Sequence, residues 1–125
     1  MSASLITNAR ILDGTGRAPF AGAVRVEDAR ITEITPGPTP PPAGGASIKI
    51  LGYSPMETIV AATRLGGELM GLPGELGVIQ PGALADLLLV DGDPLADITV
   101  LQDRDAIGMI MKHGALHKAP QKGRP

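Results

Sequence analysis

An eleven-residue segment, Thr35 to Gly45 (TPGPTPPPAGG), divides this 125-residue chain and limits what either side of it can build. It holds five of the twelve prolines together with three glycines. Proline removes a backbone donor and fixes φ, so the segment cannot be a helix or a central strand. It reads as a linker or a surface loop. On its N-terminal side the pattern is strand-like: Leu5 to Leu12, then Gly22 to Ile34, where Val24 and Val26 alternate with Ala23, Arg25 and Glu27. The polar corner Glu27-Asp28-Ala29-Arg30 marks a tight turn, and Asp13-Gly14-Thr15-Gly16 is a loop by composition.

On the C-terminal side, Ala46 to Leu51 (ASIKIL) has the alternation of a short strand. Ser54-Pro55-Met56-Glu57 is a capping box with proline at the first helical position, and apolar residues follow at spacings of three and four as far as Met70. Gly71 and Pro73 mark the stop. This predicts one helix over Pro55 to Met70, with more than half of its circumference apolar. The pair Gly66-Gly67 weakens it, by up to about 1 kcal/mol per glycine in an exposed interior, and would let another backbone approach closely. Gly77 to Ile79 and Leu84 to Asp91 read as strands around a type II turn at Gln80-Pro81-Gly82. The unbroken run Leu87-Leu88-Leu89-Val90 suggests a strand covered on both faces. Leu95 to Leu101 fits a short helical turn, and Ala106 to Lys112 with Ala115 to Lys118 forms a hairpin around His113-Gly114.

Length and composition exclude several functions. A chain of this size buries roughly two thirds of its unfolded surface around one core, whereas an eight-fold β/α barrel needs about 200 residues or more. Eleven Lys and Arg against thirteen Asp and Glu give a net charge of −2 with no concentrated basic face, and Phe20 and Tyr53 are the only aromatic residues. Both facts argue against nucleic acid as a partner. Without cysteine there is no disulfide, thiolate nucleophile or cysteine zinc site. The sequence shows neither a signal-peptide pattern nor a run of about 20 apolar residues, so a cytoplasmic protein without membrane contact is expected.

Few residues are candidates for chemistry. His113 and His117 are the only histidines; they flank a turn, with no glutamate placed as in His-Glu-x-x-His. Asp86, Asp91, Asp93 and Asp97 form the densest acidic cluster, but the ligand spacing of a calcium loop is missing and strand-end roles account for them. Gly14, Gly16 and Gly22 precede no strand-to-helix transition and make no dinucleotide fingerprint. Ser54 is accounted for as a cap.

The quoted segments have a precedent. SLITNARILDGTGRAPFAGAVRVEDARITEI resembles the N-terminal end of the amidohydrolase superfamily, and SPMETIVAAT with GxIxPGxLADLLLVDGDPL resembles its C-terminal end. The nearest branches by texture are the Xaa-Pro and Xaa-Arg dipeptidases and imidazolonepropionase. The resemblance implies a mainly β fold: a urease-α-like composite β-sandwich built from both chain ends, with one substantial helix and with the family's TIM barrel absent. Residues 1–52 would form the N-terminal half, including the 35–45 linker, and residues 53–125 the helix and the C-terminal half. The four histidines and the aspartate of the family's metal site match no position here. Ala46 to Gly52 aligns either with the short strand that precedes the barrel or with a barrel strand whose lysine becomes a carbamylated metal bridge. Under the second alignment Lys49 would be the remnant metal ligand.

By resemblance, then, the chain is the non-catalytic β-sandwich portion of an enzyme whose parent hydrolyses amide, dipeptide or cyclic-amide C–N bonds with one or two divalent metals, zinc foremost. This portion itself would hold no catalytic residue and no cofactor. Its partner would be the catalytic barrel of the same polypeptide, with homo-oligomerisation a further expectation. The alternative is a stand-alone, non-enzymatic scaffolding or self-association module.

Overall fold

The computed structural model describes residues 3–37 and 52–120. In the N-terminal part, β1 (Ala3–Ile11), β2 (Phe20–Glu27) and β3 (Arg30–Pro36) form an antiparallel meander in the order β1-β2-β3. In the C-terminal part, two short helices, α1 (Pro55–Ala62) and α2 (Arg64–Leu69), precede a second antiparallel meander. Its strands are β4 (Leu87–Val90), β5 (Ile107–Lys112) and β6 (Ala115–Lys118), with a 3₁₀ turn at Ile98–Gln102 between β4 and β5. No helix among the described residues is long and apolar enough to cross a membrane.

The turns follow from residue type. His113 and Gly114 both take positive φ, 49° and 77°, as a two-residue type I′ hairpin turn demands. Asp28 takes φ 53° in the β2–β3 turn, a conformation aspartate tolerates better than most residues. Gly82 at φ 90° and the bond from the Ala83 amide to the Gln80 carbonyl (3.1 Å) give the expected type II turn.

One core serves both sheets. Ile11, Val24, Val26 and Ile31 from the N-terminal meander meet Val78, Ala83, Ala85, Leu87, Met109 and Met111 from the C-terminal part, all buried. The run Gly82 to Ala85 sews them together. The Gly82 amide donates to Ile31 O (2.7 Å), Ile31 returns a bond to Ala83 O (2.8 Å), the Ala85 amide donates to Ala29 O (2.8 Å), and Gly114 donates to Ala85 O (3.1 Å). Ala83 and Ala85 are fully buried, so only small side chains fit at this crossing.

Three sequence expectations need correction. The helix predicted over Pro55 to Met70 is two helices, broken at Thr63 with φ −113° and ψ −86°. Gly77 lies so close to the Thr63 carbonyl that a Cβ on it would sit 2.0 Å away, while the Thr63 hydroxyl bonds to Ile59 O at 2.6 Å. That combination bends the chain where helical periodicity alone would continue it. Of the two glycines, Gly67 does accept a close backbone, Leu76 O at 2.0 Å from its would-be Cβ, whereas Gly66 meets only Ala61 O at 3.8 Å. Second, Gly77 to Ile79 is not a strand: it docks on the 13–16 loop through a bond from the Ile79 amide to Asp13 O (3.0 Å). Third, the Leu87 to Val90 strand is not covered on both faces. It is an edge strand in which Leu87 is buried while Leu88 is 58 % exposed. The segment 46–51, including its Lys49 alignment, lies outside the described residues.

The helix ends are as the sequence predicts. Ser54 Oγ accepts the Glu57 amide at 3.1 Å, the serine half of the capping box. At the other end the bonds Leu72 N to Gly67 O (2.9 Å) and Gly71 N to Glu68 O (3.0 Å), with Gly71 at φ 79°, form a Schellman motif.

These contacts rank two glycines that share a positive φ. Gly77→Ala adds a clash with Thr63 to the conformational cost, whereas a Cβ at Gly71 meets nothing within 4 Å. Urea unfolding should therefore show Gly71→Ala destabilised by about 1–2 kcal/mol, the cost of left-handed backbone for a residue with a Cβ, and Gly77→Ala by clearly more. Equal losses would contradict the packing described.

Candidate functional site

The loop between β1 and β2 contains the buried charge that the sequence does not advertise. Asp13 is 5 % exposed and is the one buried polar or charged residue of the described chain. Its Oδ1 accepts the Thr15 amide (3.0 Å) and hydroxyl (2.6 Å), and Oδ2 accepts Arg17 Nε (2.6 Å). The Arg17 guanidinium then lies 4.3 Å over the Phe20 ring, a cation–π contact. Burial, the largest single influence, pushes the Asp13 carboxyl up. The bonds from the Thr15 hydroxyl and amide, followed by that from Arg17 and its charge, together outweigh it and hold the group below the ordinary value of 3.8.

Around this carboxylate the backbone is tightly fitted. A Cβ on Gly14 would fall 2.3 Å from Gly77 O, and Arg64 Nε reaches Gly14 O at 3.2 Å. The Asp-Gly-Thr-Gly loop thus clamps the N-terminal meander against the start of α2 and the Gly77 segment. Chemically, a carboxylate that accepts three bonds and stays ionised holds a loop in shape; it is poorly suited to taking up a proton near neutral pH.

A second link joins the halves at the same end of β1, three residues before Asp13. Arg10 Nη1 pairs with Asp93 Oδ2 at 3.1 Å, both side chains 29 % exposed. Asp93 Oδ1 also accepts the Leu95 amide at 3.0 Å, closing an Asx turn in the DGDP loop.

The candidate residues named from sequence are dispersed. Asp86 Oδ1 accepts the His113 amide (2.8 Å), with the His113 ring Nε2 4.0 Å from the same oxygen. His117 is exposed on β6, and Asp91 is exposed just past β4. Asp97 caps the 3₁₀ turn by accepting the Thr99 amide (3.0 Å) and hydroxyl (2.6 Å), which lower its pKa. Ser54 is the helix cap. Gly22 is buried beside Thr35 O, and Gly16 meets only the Val60 side chain. Among the described residues no three His, Asp or Glu side chains converge as a metal site would require. The described part of the chain therefore does not fit a divalent metal.

The sequence pattern of the amidohydrolase family matches residues 49–116. The chain belongs to the amidohydrolase family. An imidazolonepropionase of Rubrobacter xylanophilus is 36 % identical over 66 residues, covering 53 % of this chain and 16 % of the relative. An ochratoxinase of Aspergillus niger is 36 % identical over 73 residues, 58 % of this chain and 15 % of the relative. The crystal structure of that fungal ochratoxinase superposes with a TM-score of 0.50 at 35 % identity, over 58 % of this chain and 17 % of the other. A crystal structure of an amidohydrolase superposes with a TM-score of 0.52 at 40 % identity, over 56 % of this chain and 17 % of that one. The matched region thus spans about one sixth of the length of these amidohydrolase relatives.

Asp13 yields a signed prediction. Its folded pKa is depressed, so the stability it contributes is present above its unfolded value near 3.8 and is lost as pH falls through the folded one. Asp13→Asn should cost about 1–3 kcal/mol at pH 7, the range for disturbing a buried, charge-assisted bond. It should also flatten the loss of stability below pH 4, leaving the share due to Asp97. An unchanged acid limb in chemical unfolding would show that Asp13 has no such role.

Proposed function

We propose that this chain is the non-catalytic β-sheet portion of an amidohydrolase-type enzyme, a composite sandwich to which both halves contribute. The observation that carries this reading is the shared core: strands before and after the proline-rich segment bury one set of side chains, joined by the Gly82–Ala85 ladder. In such an arrangement the ends of a polypeptide meet while its middle lies elsewhere. The family match over residues 49–116 and the two crystal-structure superpositions support the same relationship.

The parent enzyme in this proposal hydrolyses a C–N bond of an amide, dipeptide or cyclic amide. Two names among the similar proteins point this way: imidazolonepropionase, and a Xaa-Pro dipeptidase whose crystal structure superposes with a TM-score of 0.50. The family is generally metal-dependent, and a divalent metal, zinc foremost, would supply the activated water on a catalytic barrel. That barrel is also the partner proposed for the exposed apolar side chains of α2 and its C-cap, where Leu65, Leu69 and Met70 are 44 %, 89 % and 71 % exposed. The same patch favours the second reading, a self-associating module in which another copy covers it.

Purified chain, with and without added zinc or manganese, should show no turnover of an Xaa-Pro dipeptide, an N-acyl amino acid or an imidazolone. It should sediment without a discrete dimer. Metal-dependent hydrolysis would overturn the non-catalytic assignment. A defined dimer that Leu69→Glu dissolves would favour self-association.

A further inference from the structure

Two Asp-Gly dipeptides occur in the chain, Asp13-Gly14 and Asp91-Gly92. Such a pair is chemically labile, because a glycine nitrogen with no neighbouring Cβ can reach the preceding side-chain carboxyl. The structure treats the two in opposite ways. Asp13 is buried, its carboxylate accepts three hydrogen bonds, and Gly14 is held by Arg64 and wedged against Gly77 O. Asp91 and Gly92 are both exposed, just past the end of β4. Among the described residues the Asp91 carboxylate has no partner and the Gly92 amide donates no bond. Glycine is nevertheless required here. Gly92 takes φ 139°, which residues with a Cβ rarely adopt, and a Cβ on it would lie 2.8 Å from Val100 Cγ2. The fold therefore enforces the labile pair at 91–92 and leaves its reacting groups unengaged.

We propose that Asp91-Gly92 is a site of spontaneous isoaspartate formation, and that the change undoes the Arg10–Asp93 tie between the two halves of the chain. The Gly92 nitrogen attacks Cγ of the protonated Asp91 carboxyl. The N–Cγ bond forms, the C–OH bond breaks, and the amide proton leaves with the hydroxyl as water. Water then opens the resulting succinimide ring. Addition at the former main-chain carbonyl breaks its bond to nitrogen and leaves the chain running through Cγ, with the α-carboxylate free; addition at Cγ restores aspartate. The isoaspartyl form carries one more methylene in the backbone. Its neighbours on both sides are fixed: the Asp91 amide bonds to Ala106 O at 2.7 Å, and the Asp93 carbonyl accepts the amides of Ala96 (3.1 Å) and Asp97 (3.0 Å). The extra atom must therefore be absorbed between them, where Asp93 meets Arg10 Nη1 through Oδ2 and the Leu95 amide through Oδ1. The proposal is independent of any relation to a catalytic barrel.

The test is to age the whole protein in mildly acidic buffer made with heavy-oxygen water and to map its peptides by mass spectrometry with electron-transfer fragmentation. Isoaspartate carrying one heavy oxygen should accumulate at 91 at least about tenfold faster than at 13, the factor that a single bond from a charged donor to the carboxylate is worth. Arg17→Met, which removes one such donor from Asp13, should raise the rate at 13 and leave that at 91 unchanged. Asp91→Glu, which keeps the carboxylate but cannot close a five-membered ring, should stay unmodified. In the isoaspartyl fraction, separated by chromatography, the Leu95 amide should exchange faster than in fresh protein, while those of Met109 and Met111 stay protected. Absence of isoaspartate at 91, or equal rates at 91 and 13, would overturn the site. Modified protein with unchanged exchange at Leu95 would overturn its effect on the Arg10–Asp93 tie.

Discussion

The backbone ladder along Gly82 to Ala85 is what the rest of the structure depends on. Each meander has three strands, and small isolated sheets of this kind are stable only when a hydrophobic face is covered. Four bonds between 2.7 and 3.1 Å bring the 29–31 corner, the 82–85 run and the Gly114 turn into one array. The closeness is extreme at Gly114, where a Cβ would lie 1.6 Å from Asp28 O. Two hairpin turns from opposite halves of the chain thus touch through their backbones, and Val26, Ile31, Ala83 and Ala85 are sealed behind them.

The helices are fixed by the same principle at a different place. Gly14, Gly67 and Gly77 each sit where a Cβ would collide with a carbonyl of another segment. Asp13 supplies the order: its three hydrogen bonds and the Ile79 amide on its carbonyl hold the loop that the helices and the Gly77 segment pack against. A buried, ionised carboxylate is tolerated because both of its oxygens accept hydrogen bonds, one of them from a guanidinium. Several large apolar side chains remain exposed, among them Leu69 and Met70 after α2, Leu88 on β4, Leu5 and Leu116.

Much of this was visible in the amino-acid order, and where it was not the reason is tertiary. Turn chemistry was reliable: His113-Gly114, Gln80-Pro81-Gly82, Ser54 and Gly71 each do what their residue types require. The break at Thr63 was hidden because its cause, Gly77, lies fourteen positions away in sequence. The Leu87 to Val90 run looked doubly covered because periodicity cannot tell a buried strand from an edge strand whose second face meets something else. In the sequence Asp13 reads as a loop residue, although Asp-Gly-Thr-Gly followed by Arg17 contains its hydrogen-bonding partners. The acidic cluster from Asp86 to Asp97 dissolved into separate turn and cap roles, which local spacing had already favoured.

Native-state hydrogen exchange is the most direct test of the central claim that the halves on either side of the proline-rich segment are one cooperative unit. Amides of Val26 and Ile31 on one side and of Met109 and Met111 on the other should report the same opening free energy and the same dependence on denaturant. If the N-terminal meander opened at a markedly lower free energy than β5, the two sheets would be separate units, and the shared core could not be what holds this chain together.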